Sequence, residues 1–352
     1  MDLTKLGWNA DLNQQFAPCH AKGLVPARVA VEDKHFFRVW TAAAELLAQV
    51  TGHCLHEARG SHAKLPKVGD WVAVKLVAKE AKAMIHAILP RRTALCRKMA
   101  GRGGTQHVLA TNIDLAFMVT AVDASFDAMR LEQMLVMARA SGARPVVLLN
   151  KIDLCDDLDA RLADATRVAG EALVLPVCAL TGRGVKNLAQ LIQPGDTAVF
   201  IGTSGVGKSS LINRLYGEDL QATLAVRTQD AKGRHATSWR EMIFLPQGGV
   251  VIDTPGMREF HLWMASEGSQ PLFPELDALA VRCHFRDCTH TKEHQCAVFA
   301  ALAAGTLPRE RYDRFLKLQL EIRQLREAAK KTAWQPRKQG DRRVQRDFRP
   351  ED

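Results

Sequence analysis

The sequence predicts a multidomain chain: a small β-barrel, an α/β domain with a parallel sheet, and a C-terminal helical segment built on a metal-ligand cluster. Three observations predict it. Short β-prone runs crowd the region from Pro26 to Leu89. From Val108 onward, apolar strand-like runs alternate with stretches of helical spacing, the pattern of a parallel sheet covered on both faces. Near the end, cysteines and a histidine recur as Cys283-x4-Cys288-x-His290-x5-Cys296. The 352 residues suffice for two or three domains, and an apolar share of 47% suffices for packed cores.

Residues 1–25 show no periodicity and are expected to be an extension. Residues 26–95 are expected to form the barrel. Val72, Val74 and Leu76 alternate with Trp71, Ala73 and Lys75 after a turn at Pro66–Asp70, and Arg28–Val31, Phe36–Trp40 and Lys82–Leu89 are also strand-like. Among small barrels an OB-fold is chosen because it suits oligonucleotides; a purely structural barrel is the plainer reading of the same strands. Pro90–Gly104 is basic and glycine-bearing and reads as a linker that either contacts phosphate or is simply solvated.

The α/β domain is assigned to residues 96–265. Gly202-Thr203-Ser204-Gly205-Val206-Gly207-Lys208-Ser209 fits the phosphate-cradling pattern G-x-x-x-x-G-K-[ST]. It lies between the apolar run Thr197–Ile201 and the helix-spaced Leu211, Ile212 and Leu215, so it should join a buried strand to a helix N-terminus. Lys208 would supply charge to the β/γ-phosphates, the Ser209 hydroxyl would be a Mg²⁺ ligand, and Ser210 is counted with the nucleotide-binding residues.

The base is read elsewhere. Asn150-Lys151-Ile152-Asp153 follows the strand-like Pro145–Leu149, and N-K-x-D is the guanine reader of GTPases. A carboxylate accepts from the guanine N1–H and 2-amino group; adenine lacks that donor pair and would strand Asp153. Cys178-Ala179-Leu180 follows the run Ala172–Val177 and is similar to the loop that closes over guanine, with cysteine in place of serine; the Ala179 amide would contact the guanine oxygen. Val250–Asp253 then runs into Thr254-Pro255-Gly256. Asp253 would hold the Mg²⁺ shell and the Gly256 N–H would sense the γ-phosphate.

The order of these parts is rotated. An ordinary GTPase places its phosphate loop first and its guanine readers last; here the readers at 150–153 and 178–180 precede the loop at 202. The reading is a circularly permuted α/β P-loop GTPase domain, since permutation needs only neighbouring termini and a tolerant surface loop. Asp219–Ser238 would be switch I, mobile without nucleotide. In the Ras-type site a glutamine after the switch II glycine orients the attacking water; Met257 stands there, so His235 is the candidate water-holding group. His235, Thr237 and Lys208 are the candidate catalytic residues.

Residues 266–330 are assigned to a zinc-binding helical domain. Three thiolates and an imidazole at Cys283, Cys288, His290 and Cys296 suit a tetrahedral Zn²⁺, and four protein ligands make it structural. His284 and His294 compete with His290. Arg309–Ala329 has helical spacing, and residues 331–352 form a basic tail.

Taken together, the permuted N-K-I-D, G-T-S-G-V-G-K-S and D-T-P-G, the segment Lys232-Gly233-Arg234-His235, the cysteine cluster and the barrel resemble the ribosome small-subunit-dependent GTPase A family (RsgA, YjeQ/YloQ) over about residues 26–330. The resemblance implies a cytoplasmic bacterial GTPase that hydrolyses GTP to GDP and phosphate. It implies one structural zinc, Mg²⁺ with GTP, and binding to the small (30S) ribosomal subunit and its 16S rRNA late in maturation, with stimulation by it. The family's usual threonine run after K-G-R-H is here Ala236-Thr237-Ser238, and Thr237 is taken as the switch I magnesium ligand.

The formal charge of +10 favours a polyanionic partner. No run approaches transmembrane length, Met1–Phe16 is unlike a signal peptide, and the scattered cysteines read as a reducing cytosol. A monomer is expected. The competing functions are a nucleotide-gated rRNA-binding scaffold with incidental hydrolysis and an ATP-using P-loop enzyme; Asp153 disfavours the second.

Overall fold

The computed structural model describes residues 2–33, 36–58, 64–77, 80–98, 106–123, 126–203, 205–217, 241–253, 273–285, 288–291, 293–317 and 319–320. Five strands make the barrel: β1 (Val25–Glu32), β2 (Phe37–Thr41), β3 (Glu45–Val50), β4 (Trp71–Leu76) and β5 (Lys82–Ile88). They pair in the order β1-β2-β3-β5-β4, and β4 returns to β1 with Val25 opposite Val74, so the sheet closes on itself. β3 and β5 are parallel and the other pairs antiparallel, the arrangement of an OB-fold. Alternation sends Ala27, Val29, Val72 and Val74 into the barrel and Arg28, Ala30, Trp71 and Ala73 outward.

That outward face is covered. Arg28, at 1% exposure, donates through Nε to Gly69 O (3.3 Å) and through Nη2 to Asn112 O (3.2 Å) and Thr197 Oγ1 (2.7 Å). It also reaches Leu6 O and lies 5.2 Å from the Trp71 ring. Burial pushes its pKa down to about 10, with Asp114 acting in the opposite sense.

The second sheet runs β10-β9-β8-β11-β13-β12: β8 (Leu115–Ala121), β9 (Arg144–Asn150), β10 (Leu173–Pro176), β11 (Thr197–Ile201), β12 (Glu241–Phe244) and β13 (Val250–Asp253). Five strands are parallel and β12 is antiparallel to β13. Every residue of β8 and β11 is buried, as a sheet covered on both faces requires. On one face lie α3 (Ala128–Ser141) and α4 (Leu158–Ala169); on the other, α5 (Val185–Leu191) and α6 (Lys208–Tyr216). Asp127 caps α3 by accepting from Met129 N and Arg130 N, and Gly142 ends it at φ +82°. The barrel joins this sheet at β12, where Val31 pairs with Glu241 and Arg38 bridges to Glu241 at 3.1 Å.

Three expectations are corrected. Residues 1–25 are no bare extension: α1 (Ala10–His20), capped by Asn9, packs Phe16 into the core, and Trp8 stands edge-on to Trp71 at 4.9 Å. A single deeply buried side chain gave α1 too weak a periodicity to register. Pro90–Gly104 is not all linker, because β6 (Ala94–Lys98) pairs antiparallel with β7 (Gln106–Thr111). There Arg97 and Lys98 masked a strand that buries Leu95. The barrel also contains β3 and α2 (Gly52–Glu57), which the sequence reading lacked.

C-terminally, α7 (Pro274–Ala280), α8 (Ala297–Ala303) and a helix at residues 309–317 pack against the face carrying α3. Arg311 pairs with Glu132 of α3 and Glu275 of α7 and covers the Phe273 ring at 4.5 Å. Among the described residues no helix is long and apolar enough to cross a membrane.

Candidate nucleotide site and metal centre

The predicted motifs meet at the carboxyl ends of the parallel strands, the place where open α/β sheets bind ligands. β11 leads into the phosphate loop, and α6 begins at Lys208. Gly207 has φ +98°, and a Cβ there would lie 2.2 Å from Asn150 Nδ2; a Cβ on Gly202 would lie 2.5 Å from Val119 O. The loop can therefore approach its neighbours only as glycine. Lys208 is buried, and its Nζ donates to Gly202 O (2.9 Å) and Thr203 O (3.0 Å). Burial lowers its pKa against the pull of Asp253, while burial raises the Asp253 pKa against the pull of Lys208. Each charge is desolvated, and each is held in its charged form partly by the other. Ser209 and Ser210 are exposed in the first turn of α6.

Asn150, at 1% exposure, joins three motifs. Its Nδ2 donates to Val206 O in the phosphate loop (2.8 Å), and its Oδ1 accepts from Ala179 N (3.1 Å). Lys151 takes the left-handed conformation at φ +62° and its Nζ lies 3.3 Å from Asp123 Oδ2. Ile152 is buried beneath the turn that presents Asp153. The Cys178 thiol donates to Asp153 Oδ1 at 2.9 Å, and Thr181 N donates to the same sulfur at 3.3 Å. Cysteine thus acts as the donor to the Asp153 carboxylate, as a hydroxyl could. Leu180 is exposed at 75%. Nothing in the sequence signals the partnership of Asp123 with Lys151. Ser204, His235, Thr237 and Gly256 lie outside the described residues, as do Met257 and the switch I segment.

At the C-terminal cluster the donor atoms of Cys283, Cys288, His290 and Cys296 lie within 4.8 Å of one another. The Cys283 Sγ is 3.6 Å from His290 Nδ1 and 3.9 Å from Cys296 Sγ, and His290 Nδ1 is 3.4 Å from Cys296 Sγ. Zinc ligands at tetrahedral corners lie about 3.3–3.8 Å apart; Cys283, His290 and Cys296 stand close to these separations, and with the Cys288 sulfur inside 4.8 Å the set of three sulfurs and one nitrogen fits Zn²⁺. Burial lowers the His290 pKa, which favours the neutral, ligating imidazole. Tyr312 donates to His290 O at 2.6 Å and holds the φ +56° backbone there. The competitors His284 and His294 are exposed and stand outside the cluster.

A family profile described as RsgA GTPase matches residues 88–263. A protein of Opitutus terrae named small ribosomal subunit biogenesis GTPase RsgA is 45% identical over 330 residues, 91% of this chain and 90% of that one. One of Lactiplantibacillus plantarum, small ribosomal subunit biogenesis GTPase RsgA 2, is 43% identical over 85% of this chain and 84% of its own. The chain belongs to the RsgA GTPase family. As a member it is a GTP hydrolase. Among solved structures, YjeQ from Thermotoga maritima superposes with a TM-score of 0.55 at 22% identity, covering 85% of this chain and 98% of that one. YloQ, described as a circularly permuted GTPase, gives 0.50 at 23%, over 86% and 96%. These two share the fold of this chain.

Proposed function

We propose that this GTPase acts in late maturation of the small (30S) ribosomal subunit, in the cytoplasm and as a monomer, binding 16S rRNA and hydrolysing GTP faster when bound. The reading rests on the guanine and phosphate site set beside an OB-type barrel, in a chain whose 45%-identical relative is named for small-subunit biogenesis. The net charge of +10 supports a polyanionic partner. The division into residues 1–25, 26–95, 96–265, 266–330 and 331–352 is part of the same proposal.

Roles follow from chemistry. The phosphate-loop amides of residues 202–207 and Lys208 hold the β- and γ-phosphates; Lys208 must exchange its present carbonyl partners for them. Asp153 accepts from the guanine N1–H and 2-amino group, and the Ala179 amide donates to the 6-oxo group after exchanging its present acceptor, Asn150 Oδ1, for it. Ser209, Asp253 and Thr237 would hold Mg²⁺, which supplies charge neutralisation at the β- and γ-oxygens when bound. The Gly256 amide senses the γ-phosphate, and His235 orients the attacking water in place of the missing glutamine. Cys283, Cys288, His290 and Cys296 hold one structural Zn²⁺.

The deciding experiment compares GTP with ATP hydrolysis, with and without purified small subunits. The expected result is GTP hydrolysis that is slow alone and accelerated by subunits. Unchanged turnover with subunits bound would replace this reading with a nucleotide-gated rRNA-binding scaffold, and ATP hydrolysis at an equal rate would overturn the guanine assignment.

A further inference from the structure

The guanine-closing loop is held from a side that the motifs do not predict. Arg214, in the last turn of α6, donates through Nε to Ala179 O (2.9 Å) and through Nη2 to Leu180 O (2.6 Å). These are consecutive carbonyls of the exposed loop. Other bonds of the turn are made by Cys178, whose N–H donates to Arg183 O (2.9 Å) and whose carbonyl accepts from Gly182 N (2.9 Å). On the opposite side, Ala179 N is held by Asn150 Oδ1 at 3.1 Å. Asn150 also grips the phosphate loop at Val206 O, and α6 is the helix that the phosphate loop opens.

The contacts therefore form a ring: phosphate loop, Asn150, Ala179, Arg214, α6, and back to the phosphate loop. A planar guanidinium fork that engages two carbonyls fixes the orientation of both peptide planes, whereas a single point charge would let them swivel. We propose that Arg214 is a positioning residue for base recognition: its grip on the two carbonyls keeps the closing loop at a fixed place relative to the phosphate loop when the Ala179 N–H leaves Asn150 Oδ1 to meet the guanine 6-oxo group. This rests on the guanine reading given above. Arg214 is exposed, and its effect on the base passes through the loop backbone.

The 6-oxo and 2-amino groups are read by different residues, so the two can be tested separately. Three triphosphates are compared on the full-length protein by displacement of a fluorescent GDP analogue. They are GTP, ITP (6-oxo group and N1–H but no 2-amino group) and 2-aminopurine riboside triphosphate (2-amino group but neither the 6-oxo group nor the N1–H that accompanies it); the loss of N1–H is common to parent and variant, so the change in preference reports the 6-oxo contact. In Arg214→Ala, the preference for GTP over the 2-aminopurine nucleotide is expected to fall about fivefold, the scale of one or two net hydrogen bonds, with the preference over ITP unchanged. Alanine preserves helix propensity, so α6 should persist. Arg214→Lys should recover part of the loss, since an ammonium can serve one carbonyl at a time. An unchanged preference over the 2-aminopurine nucleotide in Arg214→Ala overturns the proposal. So does an equal fall in both preferences, which would mean general loosening. If the parent protein itself fails to distinguish GTP from the 2-aminopurine nucleotide, the closing loop is not the 6-oxo reader, and the guanine reading of residues 178–180 falls first.

Discussion

Asp153 and Cys178 are 25 residues apart in the chain and share one hydrogen bond, and that contact decides how the carboxylate is aimed. On the proposed guanine reading, a thiol donor on one oxygen leaves the rest of the carboxylate for the base edge. Asp153→Asn is expected to weaken GTP binding by about 3 kcal/mol, because two charge-assisted bonds are lost and an amide donor faces the guanine donors. The same variant should gain affinity for xanthosine triphosphate, which presents an oxo group where guanine has its 2-amino group. Calorimetric titration with both nucleotides checks this, and unchanged GTP affinity would remove Asp153 from the base site. Asn150-Lys151-Ile152-Asp153 was legible because its spacing is local. The thiol bond was not, since no property of the sequence shows which sulfur lies beside which carboxylate. Arg214 was hidden for the same reason. On a helical pattern it reads as one more solvated arginine, and only the folded loop supplies its two carbonyls.

At the scale of elements, the strands of the parallel sheet announced themselves. β11 was read at Thr197–Ile201 and is found there, because a strand covered on both faces must be a continuous apolar run. α1 and β6 failed to announce themselves, since each depends on partners far along the chain: Phe16 is buried by tertiary packing, and β6 exists through its pairing with β7. The cysteine cluster was legible as a ligand set, but the choice of His290 over His284 and His294 required the fold. Cys288→Ser should lose stoichiometric zinc by elemental analysis and loosen α7, α8 and the helix at 309–317 in hydrogen exchange, while nucleotide binding persists. The core on the α5 and α6 face of the sheet, against which the phosphate loop and its helix pack, includes none of the four ligands; Cys296 belongs to the core on the α3 face. Absence of zinc from the purified parent protein would refute the assignment.

At the scale of the whole molecule, the excess of positive charge should make association with small subunits steeply salt-dependent, because each neutralised phosphate releases counterions. A plot of log affinity against log salt is expected to slope strongly downward; a flat line would point to docking on ribosomal proteins. The barrel that would meet the RNA is joined to the nucleotide domain by Arg28, whose direct acceptors Leu6 O, Gly69 O, Asn112 O and Thr197 Oγ1 are all neutral. The last of these is 169 residues further along the chain. During synthesis β1 emerges long before β11, and a guanidinium buried without its acceptors costs several kcal/mol. Until Thr197 has been made, Arg28 keeps its hydration and the outer face of β1 stays open to water. Part of the domain that is translated first is therefore sealed only after the strand leading into the phosphate loop has been made.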